Sequence, residues 1–505
     1  MPSFSRRDLL KYGTIATGSL ILPAVYGSRA IAGSISPRVR PFTLPFRVTP
    51  VLAPKKRSGN RDYYEITMRK TRVEILPGYQ TEVWAYNGLV PGPTIYQTAG
   101  RESIIRFINQ LGNIDTSVHL HGMAALPQYD GYANDVSRPG YYKDYYYPNN
   151  RAASLWYHDH AVHHTARNTF MGLAGIYIVQ NQTELNLPLP KGKYDVPLCL
   201  QDKLFFSNGQ LNYDNQGTKG VNGDVILVNG VPWPVMQVER RKYRFRLLNG
   251  SAARSYRIFL SNGDPMTIIG TDAGLVQTPV EVRNFRIGMA ERYEFVIDFA
   301  KYPIGTQIVL RNNNPSNNDE FDNTHLIMRF DVTANATDTS NNTIPSYLRE
   351  VRVFTPQEIR NARVREWRFE RNNGLWRING RSWNPNRVEA NPGLGDIEVW
   401  RLYNNGGGWF HPVHVHLVDL QVLSRNGQAP FAYERGWKDV FYVGENEDVR
   451  VITQFLPHRG KYMMHCHNVD HEDFDMMIQW EVGQGGPNPL GAPPQPWNPS
   501  IPTPI

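Results

Sequence analysis

Apolar and polar positions alternate with a period of two wherever the chain is most regular. Tyr243-Arg244-Phe245-Arg246-Leu247 is one such run, closed by a turn at Asn249. Alternation of this kind sends successive side chains to opposite faces and predicts strands. Long helical periodicities are scarce, and "TPQEIRNARV" from Thr355 is at most a short helix. One larger pattern occurs three times, over Asn87–Asn109, Asn229–Asn249 and Asn379–Asn404. Each copy has an Asn-Gly turn, a Pro-bearing segment, a second turn and an alternating strand that ends on Asn. The spacing amounts to one β-domain per period, too long for a solenoid repeat.

The expected fold is therefore all-β, with three tandem Greek-key β-sandwich domains. Domain limits are expected at 45–182, 193–340 and 348–482, with polar, turn-rich linkers at 180–195 and 332–347. The Pro/Gly-rich tail 483–505 should lack regular structure of its own.

Composition supports this picture. The chain has 505 residues, enough for about three domains. Its 27 Tyr, 37 Pro and 42 Gly favour short strands and many turns. A formal charge of +8 raises nucleic acid as a partner, but no long Lys/Arg cluster exists, and a solvated basic surface is the better reading.

The N-terminus reads as a targeting segment. Arg6 and Arg7 precede an apolar stretch from Tyr12 to Val25, and Ala30-Ile31-Ala32 forms an A-x-A cleavage site. Residues 1–32 are thus expected to be a twin-arginine signal peptide of a bacterial protein, periplasmic or extracellular once exported. The apolar stretch is too short for a good membrane span, and no other segment approaches that length.

The candidate chemistry is concentrated in histidine. Four His-x-His pairs occur: His119/His121, His158/His160, His414/His416 and His465/His467. Residues i and i+2 share a strand face, so each pair offers two imidazoles to one place. Two pairs lie in the first expected domain and two in the third. Eight imidazoles between two domains suit copper. Cys466, His471 and Met476 follow the spacing C-x4-H-x4-M, and His411 opens "HPVHVH". A His2Cys set with a weak axial Met is the composition of a blue copper electron-transfer site. Cys466 points to one strand face while His465 and His467 point to the other. The stretch would then touch two copper centres about 12 Å apart. Cys199 reads as a small buried hydrophobe, unpaired with Cys466. His163, His164, His325 and His458 are assigned no metal.

These motifs, in this order, resemble the multicopper oxidases. "HEDFDMM", "GGGWFHPVHVHLVDLQVLSR", "GYYKDYYYP" and "WYHDHA" resemble most the bilirubin oxidase and spore-coat laccase group, whose domains are cupredoxin-like. The resemblance implies four coppers per chain. A type 1 copper would take His411, Cys466, His471 and Met476. A type 2 copper would take His119 and His414. A type 3 pair would take His121, His158, His160, His416, His465 and His467. The middle domain would hold no ligand. The implied reaction passes single electrons from a small reductant, aromatic, tetrapyrrole-like or a metal ion, to dioxygen, which leaves as water. Protons need a route to the cluster, and Asp130 and Glu472 are the expected carboxylates. Trp409, two residues before His411, is expected to cover the edge of the type 1 site and contact a flat substrate. The chain is expected to act as a monomer. The alternatives are a metallo-oxidase acting on Cu(I) or Fe(II), and a non-enzymatic exported scaffold of the same fold. Intact ligand positions argue against the scaffold, and the absence of a Met-rich insert argues against a cuprous oxidase.

Overall fold

A computed structural model describes residues 35–313 and 318–501. The expected signal peptide, residues 1–32, lies outside the described residues.

The threefold sequence pattern has a threefold structural counterpart. Asn87, Asn229 and Asn379 adopt φ of 53°, 51° and 53°, each followed by a glycine with positive φ. Asn tolerates this left-handed geometry because its short side chain bonds the backbone locally. Its Oδ1 accepts from the amide of Thr67, Cys199 or Arg368 at 2.7–2.8 Å. The closing residues Asn109, Asn249 and Asn404 each donate from Nδ2 to two backbone carbonyls. Each copy lays its last strand parallel to the strand that enters it. Arg61–Val73 pairs with Glu102–Gln110, Asp195–Lys203 with Lys242–Asn249, and Arg363–Asn372 with Ile397–Asn404.

Three two-sheet sandwiches result, with six and four strands in the first, seven and five in the second, six and four in the third. The middle core is aromatic, with Phe245 in contact with Phe295, Phe299 and Phe330. The third core surrounds Cys466 and Met476 with Trp376, Trp400, Trp480 and aliphatic side chains.

Both expected linkers contain some regular structure. Leu326–Asn335 is a strand that continues into the expected second linker, and Gln182–Asn186 is a short helix capped by Asn181 in the first. The helix near Thr355 spans Pro356–Asn361 and carries a Thr355/Glu358 capping box. Among the described residues the tail takes its strand pairing from the first sandwich: Gln495–Pro496 adds to the edge of Tyr141–Tyr147, and Trp497 N donates to Gly140 O at 2.8 Å. Cys199 is fully buried within Asp195–Lys203. No helix among the described residues is long and apolar enough to cross a membrane.

Four strands carry the histidine pairs: β1 (Val118–His121), β2 (Ala153–Asp159), β3 (His411–Val415) and β4 (Gly460–Cys466). β1 and β2 are neighbours in the four-stranded sheet of the first sandwich, β3 and β4 in that of the third.

Candidate metal centre

Register decides which way each ligand candidate points. Val413 pairs with Cys466, and His414 with His465. Strand side chains alternate faces, so His411, Val413 and Cys466 point into the third core. His414, His416, His465 and His467 point the other way, toward the first sandwich. There His119 pairs with His158 across β1 and β2.

On the core face, His411 Nδ1 lies 3.4 Å and His471 Nδ1 3.7 Å from Cys466 Sγ. All three are buried, and Met476 packs in the same core. His471 sits on the short helix Val469–Asp473, whose first amides are capped by Asn468. Trp376 stacks on the His471 ring at 3.6 Å, while Trp409 meets it edge-on at 5.7 Å. Trp409 is only partly buried and so forms the solvent edge of this site. Arg371 lies over both tryptophans, 4.9 and 5.7 Å from their rings.

On the opposite face the eight imidazoles form one continuous cluster, whose closest rings are His121 and His414, stacked at 3.7 Å, and His119 and His416, at 4.1 Å. His160, His416 and His465 form a triangle with ring centroids 4.9–5.3 Å apart. His121, His158 and His467 form a second, at 5.2–5.7 Å. His119 and His414 remain, with their Nε2 atoms 3.4 Å apart. Nε2 of His465 lies 3.1 Å from Nε2 of both His160 and His416.

As bare imidazole the cluster leaves several buried nitrogens unpaired. Nδ1 of His121, Nε2 of His158, Nδ1 of His160 and both nitrogens of His467 are buried without a hydrogen-bond partner. Orphaned buried polar atoms cost free energy, and cations among the rings would satisfy the lone pairs of His121 Nδ1, His158 Nε2 and one nitrogen of His467. Burial, followed by repulsion from neighbouring rings, holds His119, His121, His158, His414 and His416 well below the ordinary imidazole range. Burial lowers His411 to about 3. Neutral imidazoles present the lone pairs that copper needs. The donor set of eight imidazoles on one face, and two imidazoles, a thiol and a thioether on the other, fits copper.

Carboxylates line the imidazole cluster. Asp130 Oδ2 bonds His416 Nδ1 at 2.8 Å, and its backbone carbonyl accepts from His119 Nδ1. The loop carrying Asp130 crosses directly over β1. A Cβ on Gly131, which has φ +78°, would lie 2.5 Å from Val118 O and 2.6 Å from His119 Cα. Glu472 Oε2 lies 3.0 Å from His465 Nδ1, and its Oε1 3.5 Å from His160 Nε2. The two carboxyls are pushed apart. Burial drives Asp130 well above the usual carboxylate range. Burial also opposes ionisation of Glu472, but His465 and His160 outweigh it and hold that group near about 2. Of the two carboxyls, Asp130 thus favours its protonated form and Glu472 its ionised form.

The structure also brings in residues absent from the sequence reading. Asp439 accepts from His121 Nε2 at 2.9 Å and, through its backbone carbonyl, from His414 Nδ1 at 2.8 Å. Trp376 covers His471. Asp439 lies between Lys438 and the apolar run Val440–Val443, so a buried charge there was the available signal. No local pattern marks Trp376.

A three-sandwich fold with one cysteine-centred site and an eight-histidine cluster between the outer sandwiches defines a multinuclear copper protein. Multicopper oxidase sequence profiles match residues 67–184, 180–329 and 352–486. Bilirubin oxidase of Albifimbria verrucaria is 40% identical over 475 residues, covering 89% of this chain and 82% of that protein. A laccase of Bacillus subtilis is 34% identical, covering 85% and 96%. A laccase crystal structure from Pediococcus acidilactici superposes with a TM-score of 0.81 at 30% identity, covering 90% and 96%. The McoA multicopper oxidase of Aquifex aeolicus superposes at 0.78 and 32% identity, covering 88% and 99%. The chain belongs to the multicopper oxidases. It is an oxidoreductase with four coppers that couples one-electron oxidation of a reductant to reduction of dioxygen to water.

Proposed function

We propose that the enzyme oxidises small aromatic or tetrapyrrole-like reductants at the Cys466 site. The observation that carries this reading is the solvent edge of that site. Trp409 is half-buried and packs against the ligand candidate His471, which gives a flat donor a surface to stack on within reach of a ligand ring. The printed activities of the relatives, bilirubin oxidase and laccase, support it. Steady-state rates with bilirubin, a phenol, Cu(I) and Fe(II), measured side by side, test it. Faster turnover of either metal ion than of both organic donors refutes it.

The roles of individual residues belong to the same proposal. His411, Cys466, His471 and Met476 would hold the copper that receives electrons. His119 and His414 would hold a second copper, and the two imidazole triangles would hold the remaining pair, one each. Bound there, copper supplies the one-electron steps between donor and dioxygen. Cys466 follows His465 directly and precedes His467, so the backbone of β4 and its extension joins the two centres covalently. Asp130, protonated and bonded to His416, holds a proton beside the cluster and regains it from water. Glu472 orients His465 and His160. Trp409 contacts the donor. Asp439 orients His121 and His414.

Residues 1–32 carry the protein out of the cytoplasm through the twin-arginine pathway. Recovery of a chain beginning near Gly33 from the periplasm or medium tests this, and a cytoplasmic chain retaining Arg6 and Arg7 refutes it.

A further inference from the structure

Five of the eight cluster imidazoles turn Nδ1 outward onto an oxygen. His119 meets the Asp130 carbonyl, His158 the Asp159 carbonyl, His414 the Asp439 carbonyl, His416 the Asp130 carboxylate and His465 the Glu472 carboxylate. His121 is turned the other way. Its Nε2 meets Asp439 Oδ1 at 2.9 Å, and its buried Nδ1 has no hydrogen-bond partner among the described residues. A neutral imidazole whose Nε2–H is given to a carboxylate has its lone pair on Nδ1.

What aims Asp439 comes from the sandwich that holds no ligand candidate. Arg292 Nη1 donates to Asp439 Oδ1 and Nη2 to Oδ2, both at 2.6 Å. This fork fixes both oxygens at once. Arg292 is itself immobilised. Nε donates to Ser154 O at 3.0 Å, Nη1 to Ala290 O at 3.0 Å and Nη2 to Asp272 O at 3.1 Å, which uses all five of its N–H groups. The residue after His121 leaves room for the pair. A Cβ on Gly122 would lie 2.7 Å from Arg292 Nη2 and 2.9 Å from Asp439 Oδ2.

We propose that Arg292 is a positioning residue for the metal cluster: its fork aims Asp439 at His121 Nε2 and so selects Nδ1 as the nitrogen His121 offers to copper. The inference rests on the copper reading above. It gives the middle sandwich a part in building the site. Without the fork the carboxylate can turn about its Cβ–Cγ bond, and His121 loses the contact that fixes its ring.

The test uses the full-length, copper-loaded protein and reads copper retained against a chelator, blue absorption per chain and thermal midpoint. Arg292→Met should keep the blue absorption yet release about one copper per chain at a chelator concentration about 10–100-fold lower, the usual cost of losing such an orienting contact. Arg292→Lys keeps the charge but donates from a single point, so it should release copper nearly as easily. Full retention in Arg292→Lys overturns the proposal, because charge alone then suffices. Wild-type retention in Arg292→Met overturns it outright, as does equal loss from the blue site. If Arg292→Met fails to fold, Asp439→Asn decides. It keeps the shape but must present an N–H either to Arg292 or to His121. Easier copper release supports the proposal, and wild-type retention overturns it. A wild-type chain that holds fewer than four coppers would overturn the copper reading itself and this inference with it.

Discussion

Under the proposed relay, replacing Asp130 with Asn separates proton delivery from cluster integrity. The side chain is 3% exposed, one oxygen bonds His416 Nδ1 at 2.8 Å, and the other, Oδ1, is buried without a partner. Asn can keep its carbonyl on His416. Its amide then takes the place of the protonated Oδ1, which is itself a buried donor without a partner, so the added cost in folding stability is small. The His119 contact is untouched, because it uses the backbone carbonyl. The metal set should therefore survive. The chemical loss is larger. A positioned acid contributes roughly 10²–10⁴-fold, or about 3–5 kcal/mol of barrier. Burial raises the Asp130 pKa, so the wild-type carboxyl remains protonated into a pH range where an ordinary carboxylate is empty. The variant must rely on protons from water, and its deficit should widen as pH rises. The assay is copper analysis, blue absorption and oxygen uptake across pH on one preparation. Normal turnover at high pH refutes the relay. Loss of copper shows that Asp130 only supports the cluster.

Cys466→Ser should lose the blue colour and oxidase activity while the imidazole cluster still binds metal; optical spectra and copper counts check this, and a variant that stays blue refutes the assignment. Met476→Leu removes a weak donor from the oxidised ion and should raise the type 1 potential in a redox titration; an unchanged or lowered value removes Met476 from the ligand set. Trp376→Ala deletes a fully buried indole stacked on His471 and its 2.8 Å bond to Thr218 O; denaturant unfolding should show a loss of about 3–5 kcal/mol, with weaker copper retention at the blue site. Lys203 is buried, and that burial lowers its pKa from 10.5 to about 8. The unfolded chain keeps this proton to higher pH than the folded one, so the destabilising term is fully present below pH 8 and vanishes as pH rises to 10.5. Lys203→Met should therefore gain up to about 3 kcal/mol near neutrality, less about 1 kcal/mol for its lost bond to Phe170 O, and this gain should shrink toward high pH.

The ligand candidates were legible because strand geometry writes itself into sequence. A period of two places His414 with His416 and opposes both to His411, and one residue's offset turns Cys466 away from His465. The three Asn-Gly turns were legible for a similar local reason, since few residues accept their left-handed backbone. Asp439, Arg292 and Trp376 were not. Asp439 reaches His121 across more than 300 positions, and its partner Arg292 lies in a domain without ligand motifs. Such contacts are set by how sandwiches pack, and nothing nearby in the chain encodes them. The tail was unreadable for another reason. Gln495–Pro496 has no alternation of its own and takes its conformation from the edge of Tyr141–Tyr147.

The central claim is that twelve side chains from the first and third sandwiches hold four coppers in two centres. Anomalous diffraction at the copper edge, on crystals of the copper-loaded protein, tests it most directly. The account expects four peaks per chain. One should lie within bonding distance of Cys466 Sγ, His411 and His471, and three should lie among the eight imidazoles. A map with no peak at Cys466, or with copper bound outside these twelve side chains and absent from the imidazole cluster, contradicts it.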